Sequence, residues 1–188
     1  MDELNKHEAQ EALSRLPRGQ YLLTAGYGHC RNGMIIERVS LGADDPPTVI
    51  LSVRKGHALS PLIRDSGRFG IAEIGRTDEM ISRLFRNPTT LQDDDPFLGH
   101  SLIDAPMKLE IPIPVRAVTW MTCELLRHLD IEADHEVYIG RVSNHGVNQE
   151  MLEAEIADAV INKTIDRAAD RSPRRNPTTS RARNRASA

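Results

Sequence analysis

The segment GMIIERVSLGADDPPTVILSVRKGHALSPLIRDSGRFGIAEI, residues 33–74, holds three runs of β-type residues separated by turn chemistry. The runs at 33–40, 48–53 and 69–74 are rich in Val, Ile, Leu and Thr, as strands are. Asp45-Pro46-Pro47 divides the first two. Between the second and third, Ser60-Pro61 places a capping hydroxyl before a proline at the first helical position. This predicts a short helix over 61–66, ended by Gly67.

Working outward, a further run lies upstream at 21–25, and two more lie downstream at 115–126 and 136–142; the first of these is long enough to bend. Six strands result. Met80, Ile81 and Leu84 at helical spacing predict a helix over 77–85. Met151, Leu152, Ile156, Ala159, Val160 and Lys163 predict a C-terminal helix of about five turns. Residues 86–114, with five prolines and the run Asp93, Asp94, Asp95, read as a long irregular loop whose acids are solvated. A mostly β chain with short flanking helices and no βαβ alternation points to a barrel or sandwich, not a doubly wound sheet.

At 188 residues the chain is long enough for one domain with a real core. Residues 171–188 hold six arginines and no acid, so a net charge of -3 leaves the preceding 170 residues at -9. The tail has no large apolar side chain, so it reads as disordered, either solvated, folded back on the acidic body, or in weak contact with an acidic partner. The expected organisation is a domain at 1–148, a helix at 149–170 and a tail at 171–188. No apolar run reaches the length of a membrane span, and the polar N-terminus is unlike a signal peptide, so a cytoplasmic protein is expected. Cys30 and Cys123 are far apart and read as core thiols. The histidines lack ligand spacing, so no metal site is expected. Trp120 and Met121 read as core residues.

Four motifs in order carry a resemblance. They are Gly33-Met34, followed at a fixed interval by Asp45-Pro46-Pro47; the strand 48–53 leading to Arg54-Lys55; Ser66-Gly67-Arg68-Phe69; and the closing pair AVTWMTCELLR (117–127) and HEVYIGRV (135–142). Over about residues 13–145 the chain resembles the flavin reductase-like family, the FMN-binding split barrels. That resemblance implies a six-stranded Greek-key split barrel, a homodimer, FMN as cofactor, and NAD(P)H as the source of a hydride passed to the flavin. The alternative it leaves open is a non-enzymatic member that has lost efficient flavin binding and serves as a binding or interaction module.

A flavin needs an apolar slot, backbone groups for its pyrimidine edge and cations for its phosphate. The resemblance assigns the slot and edge to Met34, Ile35, Ile36, Glu37 and Arg38, and the phosphate to the turn containing Val53, Arg54 and Lys55 with the helix-capping Ser60. It assigns His135 to the flavin or nicotinamide pocket, as a hydrogen-bond donor or charge stabiliser in catalysis; a strand-initiating surface histidine is the other reading. Small hydroxyl residues common after Gly-Met in the family are replaced here by Ile35 to Arg38, and a frequent asparagine by Ala72. Strand alternation predicts Arg38 facing the site and Glu37 facing away.

Overall fold

A computed structural model describes residues 3–75, 78–86, 95–103 and 111–170. The chain separates into two units, Met1–Glu155 and Ile156–Ala188. Among the described residues the first unit carries α1 (Glu3–Ser14), seven strands and two short helices; α4 (Gln149–Asp170) begins in it and continues past its boundary. The strands are β1 (Tyr21–Tyr27), β2 (Cys30–Ile36), β3 (Val39–Asp44), β4 (Pro47–Arg54), β5 (Arg68–Ile74), β6 (Ala117–Asp130) and β7 (His135–Val147). The helices between them are α2 (Leu59–Ser66) and α3 (Glu79–Arg86). Residues 171–188 and Asp93 and Asp94 lie outside the described residues.

All seven strands form one antiparallel sheet in the order β2-β1-β5-β6-β7-β4-β3. The run expected as one strand over 33–40 is two. Ile36 pairs with Tyr21 of β1, whereas Val39 pairs with Leu51 of β4, and these partners lie toward opposite edges of the sheet. The chain therefore turns at Glu37-Arg38. Laid flat at ~4.8 Å spacing, seven strands would hold β2 and β3 about 29 Å apart. Three Cα steps from Ile36 to Val39 span at most about 11 Å. The sheet must coil until its edges meet at this corner, yet β2 and β3 are not hydrogen-bonded neighbours. The expected six-stranded barrel is corrected to a seven-stranded sheet that is not closed.

Coiling gives the sheet two apolar faces. Alternation sends Leu23, Ile71, Leu51, Val53, Phe69, Cys123 and Tyr138 inward, where α2 adds Leu59, Leu62 and Ile63. Leu22 and Ala72 point the other way, into a second cluster with Ile81 and Phe85 of α3 and with Phe97, Ile111 and Ile113. Met121 packs on the first cluster and Trp120 on the second, as core residues. The interior is tight enough that a Cβ on Gly140 would run into the Phe69 ring. Cys30 departs from expectation: it opens β2 just after the hairpin turn at Gly28 and is exposed, while Cys123 is buried.

The helices form close to where they were expected, with different caps. α2 starts at Leu59, and Ala58 occupies the cap without a side-chain hydrogen bond. The Leu59 N–H donates instead to His57 Nδ1 at 3.1 Å. Pro61 is accommodated because it stays in the first turn, where no intrahelical donor is needed. Gly67 ends the helix in the left-handed region at φ 65, its N–H on Ile63 O at 2.9 Å. In α3, Ile81 and Phe85 are buried one turn apart, and Met80 and Leu84 face outward. Asn148 caps α4 through its Oδ1, which accepts from the Met151 N–H at 3.2 Å. Asp95, the described member of the acid run, is partly buried in an ion pair with Arg31 of β2.

Candidate functional site

The corner between β2 and β3 lines a cleft of about 220 Å³. Its walls are Arg18, Met34, Ile35, Ile36, Glu37, Arg38, Ser52, Arg54 and His135. Each element arrives there for a local reason. β4 alternates Val49, Leu51 and Val53 into the core, which leaves Ser52 and Arg54 on the opposite face. The register of β4 with β7 sets Arg54 opposite His135. The Ser52 N–H donates to Arg38 O at 3.2 Å and ties the corner to β4. Because Tyr21 pairs antiparallel with Ile36, the residues before β1 run beside those after β2, which carries Arg18 to Glu37.

Seven of the expected site residues are thus together: Met34, Ile35, Ile36, Glu37, Arg38, Arg54 and His135. Three are not. Val53 is fully buried on the core face. Ser60 is buried in the first turn of α2 and does not line the cleft. Lys55 turns to the β6–β7 end, where its Nζ lies 2.5 Å from Asp130 Oδ1 and its N–H donates to Asp134 O at 3.0 Å. Arg18 and Ser52 are additions. The period-2 pattern of β4 carried the signal for Ser52, but nothing in the sequence around Arg18 pointed to it. Ala72, one of the departures, packs in the second core cluster.

Glu37 and Arg38 both line the cleft, against the expectation that one faces away. Alternation applies within a strand, and these two residues form the corner between strands. Arg38 Nη1 lies 2.7 Å from His135 Nε2, and His135 Nδ1 lies 2.9 Å from Asp134 Oδ1. A guanidinium offers only donors, so Nε2 accepts and the ring proton sits on Nδ1, toward Asp134. The His135 ring in turn holds the Asp134 carboxyl below the usual carboxylate range. Arg18 Nη1 is 3.4 Å from Glu37 Oε2. Arg54 has no ion pair among the described residues. The cleft therefore offers three guanidiniums against one carboxylate, beside an apolar wall and the free backbone edge of β2.

On the other side of β7 stands a second polar group. The Tyr138 hydroxyl donates to Glu136 Oε2 at 2.8 Å, and His128 Nε2 lies 3.3 Å from the same oxygen while its ring stacks on Tyr138. Burial raises the Glu136 pKa, but these two partners outweigh it and leave the group below the usual glutamate value. Burial pushes the Tyr138 hydroxyl up to about 12.

Residues 13–162 match the flavin reductase like domain. The chain belongs to that family. Among its curated relatives is the NADH-dependent flavin reductase StyB of Pseudomonas fluorescens, 28% identical over 115 residues, which cover 61% of this chain and 62% of the relative. The chain spans less than two thirds of the curated relatives it matches, 62% of this one and 21% of a second. Among solved structures, the NADH:FAD oxidoreductase SgcE6 of Streptomyces globisporus C-1027 superposes with a TM-score of 0.67 at 19% identity, over 79% of this chain and 86% of that one. The styrene monooxygenase flavin reductase SMOB of Pseudomonas putida S12 gives 0.63 at 23% identity, over 76% and 87%. At these identities the structural likeness shows the shared fold. No described helix is long and apolar enough to cross a membrane.

Proposed function

We propose that the protein is a flavin reductase that binds FMN at the β2–β3 corner and passes to it a hydride from NAD(P)H. The observation that carries this reading is the convergence of Arg38, Arg54 and His135 beside the wall formed by Met34, Ile35 and Ile36. The donor set suits the ligand. Guanidiniums match phosphate oxygens, and the unpaired N–H and C=O groups of an edge strand match a pyrimidine edge.

A cleft of about 220 Å³ holds one end of a flavin, since whole cofactor sites run to roughly 300–1,000 Å³. Its arginines favour the phosphate end, so the ring would extend along β2, and a homodimer in which a second copy covers that edge would be the working form. When bound, the flavin supplies the hydride-accepting ring and the nicotinamide the donor. The chain's own part is to seat the phosphate on Arg38 and Arg54, hold Arg38 in place through His135, and keep water from the ring with Met34 and Ile36. Of the basic pair expected at the phosphate, Arg54 keeps that role in this reading and Lys55 instead fastens the turn through Asp130.

The test is flavin fluorescence quenching by the purified protein, followed by NADH and NADPH oxidation with FMN, FAD or riboflavin supplied. Oxidation well above the protein-free rate is expected. Binding without oxidation would count against hydride transfer while leaving the flavin site standing, and neither binding nor oxidation would overturn the flavin reading in favour of the interaction-module one.

A further inference from the structure

Among the described residues Glu37 is the one carboxylate lining the cleft, and it stands where a flavin phosphate would approach Arg38 and Arg54. Its carboxylate is half exposed and meets Arg18 at 3.4 Å. The two-residue corner leaves it nowhere else to go. Ile36 is fixed by Tyr21 on one side and Val39 by Leu51 on the other, so both intervening side chains project at the same mouth.

We infer that Glu37 selects among flavins by opposing a doubly charged terminal phosphate, and that Arg18 is the residue that offsets it. This rests on the flavin reading above and assigns the selectivity of that same site. A phosphomonoester such as that of FMN carries close to two negative charges at neutral pH. Riboflavin ends in a neutral hydroxyl, and the bridging phosphates of FAD each carry a single charge. A carboxylate a few ångströms away penalises these three ligands in the order of their local charge. It also accepts hydrogen bonds from sugar hydroxyls, which adds nothing against the neutral ligand. The charges of Arg18 and Glu37 cancel each other, so the attraction left for phosphate is that of Arg38 and Arg54.

The experiment measures the FMN, FAD and riboflavin affinities of the full-length protein by fluorescence quenching, in parent, Glu37→Gln, Arg18→Gln and the double variant. Both positions are exposed, so the folds are retained. Glu37→Gln should raise the FMN-to-riboflavin affinity ratio about tenfold, and Arg18→Gln should lower it by a similar factor. The FAD-to-riboflavin ratio should move in the same directions by less. The double variant restores the parent charge and should return the FMN ratio to within about twofold of the parent. Tight riboflavin and FMN binding at a ratio unchanged by Glu37→Gln would overturn the inference while leaving the flavin site standing. A double variant whose FMN ratio falls well below that of the parent would make Arg18 a direct phosphate ligand, not merely the charge that offsets Glu37, and would also overturn it. No flavin binding in any variant would remove both this inference and the site.

Discussion

Arg38 and His135, ninety-seven residues apart in sequence, meet at 2.7 Å through Nη1 and Nε2. This contact bridges the β2–β3 corner and the first residue of β7, the two elements that face each other across the cleft. Since Nε2 accepts, the contact requires a neutral ring. Glutamine carries a carbonyl near the position of Nε2, so His135→Gln can still receive the Arg38 N–H, whereas His135→Ala releases the guanidinium. FMN affinity should fall about tenfold in the alanine variant and stay within about twofold of the parent in the glutamine variant. Equal losses in the two, measured by fluorescence quenching, would show that His135 does not position Arg38.

Tyr138 and Glu136 allow a stability test. The hydroxyl of the fully buried tyrosine donates to the carboxylate at 2.8 Å. Tyr138→Phe removes that donor and should cost about 1–2 kcal/mol in urea unfolding at neutral pH. The folded Glu136 pKa is depressed, so its contribution is present above the ordinary glutamate value and is lost as pH falls below about 4.3. The parent and Tyr138→Phe should therefore converge in stability on acidification. A difference that persists unchanged at low pH would mean the hydroxyl acts independently of the Glu136 charge.

What the sequence disclosed follows the range of the interactions involved. Gly67, the run 48–53 and the apolar spacing of 149–170 are local signals, and each element formed within a few residues of its expected bounds. The turn at Glu37-Arg38 was not legible, because it is imposed by pairing with β1 and β4, which lie toward opposite edges of the sheet. The same non-local cause brings Arg18 to the cleft. Val53 sits in the core with Val49 and Leu51, where alternation along β4 alone places it. The α2 helix starts two residues before the position that Ser60-Pro61 implied, and the nearby side-chain acceptor is His57, which takes the Leu59 N–H.

The two cysteines should differ in reactivity. Cys30 is exposed at the start of β2, whereas burial drives the Cys123 thiol up to about 12, where little thiolate exists at neutral pH. A disulfide exchange reagent should titrate one thiol in the native protein at once and the second only in denaturant. Two fast thiols would show that the core around Phe69 and Gly140 opens readily.

The basic pair provides the sharpest test of the proposed phosphate position. Arg54 and Lys55 are adjacent, yet strand geometry sends Arg54 into the cleft and Lys55 to Asp130, 2.5 Å away. Arg54→Gln removes one charge-assisted contact, worth roughly 1.5–3 kcal/mol, so FMN affinity should fall by about one to two decades. Riboflavin, which lacks the phosphate, should lose little. Lys55→Ala breaks an exposed pair, a class of interaction worth little to stability, and should leave both flavins within about twofold of the parent. Its signature lies elsewhere: the Lys55 hydrogen bond holds the Asp130 carboxyl below its usual range, so in the variant that carboxyl should titrate at a higher pH, which nuclear magnetic resonance can follow. If Lys55→Ala depresses FMN selectively and Arg54→Gln does not, the phosphate lies on the β6–β7 side of the turn. The cleft at the β2–β3 corner would then hold some other part of the ligand.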